Sequence, residues 1–555
     1  MSGIQSAQTQ FSSRRPLGDI TIALLAFAAS ITSVANGFAF DDRPLIELNP
    51  SVHSLRHALA LFTESYWPAN AHAGLYRPLT SLAFAIQWAI GGGIPLVFHV
   101  VSILSYAVCC VLAWRLIRQL TSSTAAWIAA AVFAVHPVHV EAVGNVAGQA
   151  ELLAAIAMLS ALLIYVRDVS AGRMTIGGVA LPAALYAAGM LSKESAVVLP
   201  ALLIIVDIHQ WRRGRSGERR GSLGAHVRAV RPMYLMLIAV GLAVVWVRMA
   251  VLGDTDVAPN TALANLSFVQ RAATMLGVVP EWLRLFVWPS HLIPVYSPPY
   301  IHIAKDFDAR AALGVTILVA AAGIGVVASR ARHTIALGLE WLAITLLPVS
   351  NLVVVTGLLL AERTLFLPSV GFAMVAGEAG QWIYARTSSA RWRPAFEFAF
   401  AAIIAAALMR SGIHQRVWAN DGRLITAAIT AAPNSYQLDA MYADYALQNH
   451  NPSAAEQWLK RAIALYPSDP MSFVSLGQLY VQTGHFDGAL LAFTDAMRLD
   501  RWNSDARAGM IVCLDHFGRY SEARILARGG IASGGEDSES FRRLLVITDS
   551  LAGKQ

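Results

Sequence analysis

The chain is built from apolar runs of about twenty residues, a length that in a helix crosses a bilayer, and that fact constrains what it can fold into more than any other. The first run is Ile20 to Phe38, and ten more follow at roughly 96–117, 124–138, 148–166, 174–191, 195–211, 232–252, 310–329, 334–351, 365–384 and 394–411. In lipid every backbone N–H and C=O must be satisfied internally, so runs of this kind become helices. The expected fold is therefore all-α: a membrane domain of about eleven transmembrane helices over residues 1–415. A composition that is 56% hydrophobic and 14% charged excludes an ordinary soluble globular chain. The opening run follows Arg14 and Arg15 as a secretory leader would, but it is too long for one and lacks a clear small-residue cleavage site. It is expected to remain as an anchor.

The formal charge of +7 comes almost entirely from arginine, with lysine only at positions 193, 305, 460 and 554. Arginines gather in alternate connections: Arg115 and Arg118, Arg167 and Arg173, a cluster from Arg212 to Arg231, Arg330 and Arg332, and Arg386, Arg391 and Arg393. That distribution reads as topology, with a cytoplasmic N-terminus, and not as a nucleic-acid surface. An odd number of spans then places residues 39–95, residues 253–309 and the C-terminal region outside the cytoplasm. Within the outer segments, Leu79 to Ile90 is too short to span and is expected to lie along the interface. Phe268 to Trp288, interrupted by Arg271, Pro280, Glu281 and Arg284, reads as a surface or re-entrant helix. Cys109, Cys110 and Cys513 provide no disulfide framework.

Beyond residue 416 the composition turns soluble. After a linker at 416–435, a spacing of 34 separates Ala443 from Gly477 and Ala489 from Ala523, and Leu476-Gly477-x-x-Tyr480 with Gly484 and Ala489 fits the tetratricopeptide pattern. Three repeats are expected at 436–469, 470–503 and 504–537, followed by a tail at 538–555.

Ionisable residues collect at the outer ends of the spans. Asp41 and Asp42 follow the first span directly. One carboxylate can take a proton from an attacking hydroxyl while the other orients it; equally, the pair can simply fix a helix end. Arg77, between Tyr76 and Pro78, can grip a phosphate bidentately or contact lipid headgroups. His136, His139 and Glu141 form either a polar cluster or a metal-ligand set, and because Pro137 disturbs the helix a divalent metal is not favoured. Lys193–Glu194 and Glu362–Arg363 either line a substrate route or snorkel at span ends.

Taken in order, Phe40-Asp41-Asp42, Tyr76-Arg77-Pro78-Leu79, His136-Pro137-Val138-His139-Val140-Glu141-Ala142-Val143, Leu191-Ser192-Lys193-Glu194, Ala361-Glu362-Arg363-Thr364-Leu365-Phe366-Leu367-Pro368-Ser369 and the terminal repeats resemble the transmembrane and tetratricopeptide-repeat O-mannosyltransferases of the GT-C superfamily. Gln149 stands where that family's GRAD-like string has arginine. The resemblance implies an inverting transfer of mannose or another hexose from a polyprenyl-phosphate carrier to an acceptor hydroxyl on a protein or glycan. It implies Asp41 as base with Asp42 supporting it, Arg77, Lys193 and Arg363 on the donor phosphate, and Tyr76, His136, His139, Glu141, Glu194 and Glu362 around the substrates. The resemblance fixes no cofactor, and a divalent metal stays open but is not favoured. Arginine- and alanine-rich usage suggests a bacterial inner membrane with the repeats in the periplasm. Two other readings compete: a membrane-anchored repeat scaffold with a vestigial site, and a transporter, which is disfavoured because the ionisable residues sit at one face and not at the bilayer midplane.

Overall fold

The computed structural model describes residues 15–68, 74–170, 175–213, 223–253, 261–264, 266–331, 333–387, 392–533 and 538–554. Arg14, Arg173, Arg215, Arg219, Arg220, Arg332 and Arg391, which the topology argument uses, lie outside the described residues. The described chain is all-α and divides into two compact units. One comprises Met1–Pro259, Arg271–Pro294 and Asp306–Leu424; the other comprises Asn260–Gln270, Val295–Lys305 and Ile425–Gln555.

The first unit holds the apolar helices of a multi-pass integral membrane protein. Each of the eleven expected runs is helical, but eleven spans are not shown: among the described residues seven helices are long and apolar enough to cross a membrane, or eight if the bent pair Ser123–Val135 and Pro137–Gly144 is one span. The difference has physical causes. Ile176–Ser192 and the helical stretch from His333 to Val349 are short, and Pro368–Arg386 carries Glu378 and Arg386 within its nineteen residues. Pro78–Gly91, expected at the interface, is a fourteen-residue helix ended by Gly92 at φ 58°. Phe268–Val287 is one helix that buries a stripe including Met275, Val278, Val279, Trp282 and Phe286.

Small residues bring these helices together, as membrane helices that gain nothing from water require. A Cβ on Gly338 would stand 2.6 Å from the Gly371 carbonyl oxygen, so His333–Leu346 and Pro368–Arg386 cross nearly backbone to backbone. At His136-Pro137 the helix breaks, because proline disfavours a helical residue before it. His136 is extended at ψ 124°, its Nδ1 accepts the Val138 N–H, and the two flanking segments meet at a 47° bend.

The second unit contains three helix pairs: Tyr436–Gln448 with Pro452–Leu465, Pro470–Gln482 with Phe486–Leu499, and Ser504–His516 with Tyr520–Ala532. The repeat is visible in backbone geometry. His450, Gly484 and Gly518 occupy one register position, and each closes the first helix of its pair with a positive φ. Asp469 and Asn503, also in a shared register, cap the next pair by accepting N–H groups of Ser472 and Ala506. Gly477 lies against the Phe493 ring at the crossing. Ser538–Ala552, read from sequence as a tail, is a helix whose Phe541 packs over Gly530.

Candidate functional site

Asp41 sits on a turn that the chain holds in an unfavourable shape. The preceding residue, Phe40, has φ 56°, a left-handed conformation that costs energy for a side chain with Cβ. The segment 415–421, the start of the expected linker, holds the turn in place. Asp421 accepts the Phe40 N–H at 2.8 Å and the Arg43 guanidinium at 3.1 Å, the Gly37 N–H donates to the Ala419 carbonyl, and Asn36 donates to the Gln415 carbonyl. Trp418 closes edge-on against Phe40.

The result separates the two aspartates. The Asp41 carboxylate borders a cavity of about 320 Å³, whereas Asp42 turns into the protein, fully buried, and accepts the Ala147 N–H at 2.7 Å. Burial pushes the Asp42 carboxyl up to about 8, against the downward pull of the backbone N–H groups around it. Asp42 is thus not beside Asp41 at the cavity, as adjacency in sequence suggests.

Seven charged side chains line the cavity among the described residues: Arg77, Lys193, Arg248 and Arg363 against Asp41, Glu151 and Glu194. Fully ionised, they carry a net charge of +1. Arg363 donates to Asp41 at 2.5 Å, and Arg77 makes a bidentate pair with Glu194 at 2.6 and 2.9 Å. Lys193 pairs with Glu151. The Tyr66 ring lies 5.0 Å from the Arg77 guanidinium carbon, and its buried hydroxyl has no hydrogen-bond partner among the described residues. Burial alone would weaken the protonation of Arg363 and Arg77, but their carboxylate partners outweigh it and hold both above the ordinary guanidinium value.

The remaining expected residues are elsewhere. Glu141, fully buried, lies behind Arg363: one oxygen accepts the Arg363 backbone N–H at 2.8 Å and the other stands 3.5 Å from its Nε. His136 bonds the Phe286 carbonyl at 2.9 Å, and both ring nitrogens of His139 are engaged, by Tyr106 and Ser369. The helix break at Pro137 turns both imidazoles into the packing. Glu362 accepts the Ile293 N–H at 2.6 Å, and the Tyr76 hydroxyl donates to the Phe62 carbonyl. None of these five lines the cavity. Among the described residues no group of three His, Cys, Asp or Glu side chains is arranged to hold a metal ion. The reading from sequence did not single out Tyr66, Glu151 or Arg248. Of these Glu151 and Arg248 had a signal, each a charge inside an apolar run, and Glu151 is also the fourth residue of Gly148-Gln149-Ala150-Glu151. Gln149 itself exchanges paired amide hydrogen bonds with Gln87 and donates to the Phe98 carbonyl, pinning Pro78–Gly91 to its neighbours.

The segment 349–360 forms one wall. Asn351, at φ 55°, clasps it by accepting the Thr356 N–H at 2.7 Å and donating to the Leu358 carbonyl at 3.0 Å. Val354 to Leu360 border the charged cavity, while Ser350 and Leu352 border an apolar groove of about 630 Å³ between Phe268–Val287, Ala309–Ala331 and His333–Leu346. A charged chamber and an apolar groove therefore share one wall.

Comparison with known proteins adds an independent line. Residues 76–246 match the family model of dolichyl-phosphate-mannose-protein mannosyltransferases, residues 480–545 match a tetratricopeptide repeat model, and residues 404–498 match a model of Chs5p-Arf1p-binding proteins. The chain is similar to the human protein O-mannosyl-transferase TMTC3, 25% identical over 84% of this chain and 53% of that one. It is also similar to the Caenorhabditis elegans protein O-mannosyl-transferase F38B6.6, 30% identical over 63% of this chain and 49% of that one. The chain thus spans about half the length of the curated relatives it matches. Among solved structures it aligns with the apo oligosaccharyltransferase of Archaeoglobus fulgidus at a TM-score of 0.40 and 13% identity, over 74% of this chain and 56% of that one.

Proposed function

We propose that the chain is a membrane O-mannosyltransferase that moves mannose from a polyprenyl-phosphate carrier to a hydroxyl of a protein, on the outer face of a membrane whose cytoplasmic side holds the N-terminus. The observation that carries this reading is the cavity itself: a carboxylate at the end of a strained turn faces four cations, with a net charge of +1 that complements the single negative charge of a sugar phosphodiester.

The chemistry follows from the groups present. The acceptor hydroxyl gives its proton to Asp41 as its oxygen bonds to the sugar's anomeric carbon. The bond from that carbon to the phosphate oxygen breaks, and its electron pair leaves on the polyprenyl phosphate, so the anomeric centre inverts. Negative charge moves from one carboxylate to one phosphate, and the total is conserved. A phosphate is already a weak base and needs no general acid; it needs cations, which act strongly in a site shielded from water. Arg363, Arg77 and Lys193 supply them. The apolar groove across the 349–360 wall suits the polyprenyl chain. Mannose is the sugar the similar proteins' names point to, and the tetratricopeptide unit is suited to presenting a protein acceptor.

The test is reconstitution in liposomes with a short-chain polyprenyl-phosphate-mannose and a mixture of unfolded acceptor proteins, read by mass spectrometry for a hexose adduct. Wild-type protein should add hexose, and Asp41→Asn should lower the rate by about a hundredfold or more, in the range a general base provides. An Asp41→Asn protein as active as wild type removes Asp41 from the base role. No adduct from either protein, with the fold verified, removes the transferase reading in favour of a repeat scaffold.

A further inference from the structure

The same ion pair that marks the site also ties up its base. Asp41 accepts a 2.5 Å hydrogen bond from Arg363 through Oδ2, and both side chains are nearly buried. Arg363 has a second anchor. Glu141, wholly inside the protein, holds its backbone N–H at 2.8 Å and stands 3.5 Å from its Nε. The residue is therefore anchored from behind at its backbone N–H, its Nε faces the Glu141 carboxylate at ion-pair distance, and its Nη1 end is committed to Asp41 on the wall of the cavity. A guanidinium binds phosphate with the same bidentate geometry as carboxylate, so a phosphate entering the cavity competes directly for that end.

We infer that Arg363 exchanges partners during the cycle: with the site empty it occupies Asp41, and the donor's phosphate draws it away, freeing Asp41 to accept the acceptor's proton only when a donor is in place. Glu141 is then a positioning residue, keeping the arginine's backbone and Nε fixed while its outer end changes partner. This rests on the donor reading above and adds to it an order, donor before acceptor. The other two cation pairs do not carry the same consequence, because Glu194 and Glu151 are not placed in the base role.

The exchange has a counter-intuitive signature: the base competes with the donor. Farnesyl phosphate serves as the probe, with farnesol as the control for its chain, in titrations of the full-length protein in detergent by microscale thermophoresis. Asp41→Asn, and independently Asp41→Ala, should tighten farnesyl phosphate binding about tenfold while abolishing transfer. Arg363→Gln should weaken it. In the Arg363→Gln background the Asp41→Asn gain should shrink to about twofold or less, because there is no longer a shared cation to release. Intact folding of each variant is read from its thermal unfolding and size-exclusion profile. If Asp41→Asn leaves binding unchanged or weakens it, the exchange is wrong. A gain of equal size in both backgrounds also overturns it, since that is plain repulsion between two anions. If wild-type protein binds farnesyl phosphate no better than farnesol, the donor reading fails first and the exchange with it.

Discussion

The buried aspartate offers a test that needs no substrate. Asp42 is fully enclosed, its carboxyl is pushed up to about 8 by burial, and an aspartate in an unfolded chain titrates near 3.8. Between those values the folded protein holds a proton that the unfolded chain does not, so the free energy of unfolding must decline as pH rises through that window and level off above about 8. At about 1.4 kcal/mol per unit, the four-unit interval sets a ceiling on the order of 5 kcal/mol, and rotation of the side chain or entry of water would relieve part of it. Asp42→Asn keeps an oxygen to accept the Ala147 N–H and removes the titration. Thermal unfolding in detergent, followed by tryptophan fluorescence from pH 5 to pH 9, should show the variant gaining on wild type as pH rises. The difference between the two curves isolates this residue from every other titrating group. Transfer by Asp42→Asn should stay within about tenfold of wild type, in contrast to Asp41→Asn. Parallel stability curves would refute the argument, because they would mean that Asp42 is charged in the folded protein near neutrality.

Three further outcomes follow from the geometry. Asp421→Ala removes the acceptor of the Phe40 N–H and one partner of Arg43, so the strained turn relaxes; turnover should fall about tenfold with the apparent donor affinity changed less than about twofold, measured by initial rates at varied donor. Tyr66→Phe removes a buried hydroxyl that has no partner among the described residues, so the folded protein should lose no stability; if that hydroxyl meets the donor, the same change should raise the donor KM severalfold. Gly477→Val would drive a side chain into the Phe493 ring, where even a Cβ stands 2.6 Å away. Overpacking of that kind costs about 1–3 kcal/mol, and limited proteolysis within 436–533 should accelerate accordingly.

How much of this was legible beforehand depended on whether the determining contact was local. Helices could be read from the apolar runs because length and hydrophobicity are properties of each run alone. The number of spans could not, because a run is not yet a span: Ile176–Ser192 is a short helix, and Pro137 breaks another run into Ser123–Val135 and Pro137–Gly144. The repeat register was legible at Gly477 and Gly484, yet the first of its three left-handed positions, before Gly484 and Gly518, is a histidine, His450, which no glycine pattern reports. At the site, the span-end rule found Asp41, Lys193, Glu194 and Arg363 because each flanks a long apolar run, and Arg77 was found because it opens the short apolar helix Pro78–Gly91. It also gathered His136, His139 and Glu362, which occupy the same kind of place but face inward, since a proline-induced bend and a distant backbone N–H set their direction. Glu151 and Arg248 were passed over for a different reason: each stands about one helical turn inside an apolar stretch and not beyond its end.

The pairing of the charges is the part that spacing cannot encode, and it bears on why the site is built this way. Removing two ions from water usually costs as much as their attraction returns, so three ion pairs around one cavity are a poor device for stability alone. Here three of the four cations are each held by a carboxylate from a distant part of the chain: Arg363 by Asp41, Arg77 by Glu194, Lys193 by Glu151. Such pairs keep long side chains ordered and their charges compensated while no ligand is bound. An incoming phosphate then meets cations whose positions are already fixed, and the reorganisation left to make is an exchange of partners instead of the ordering of a loose arginine. On that view the carboxylates around the donor site are part of how it binds an anion, and neutralising Glu194 should loosen Arg77 even as it removes a negative charge from the cavity. Which effect dominates is decided by order against charge: a Glu194→Gln protein that binds farnesyl phosphate more weakly than wild type favours preorganisation, and one that binds it more tightly favours simple electrostatics.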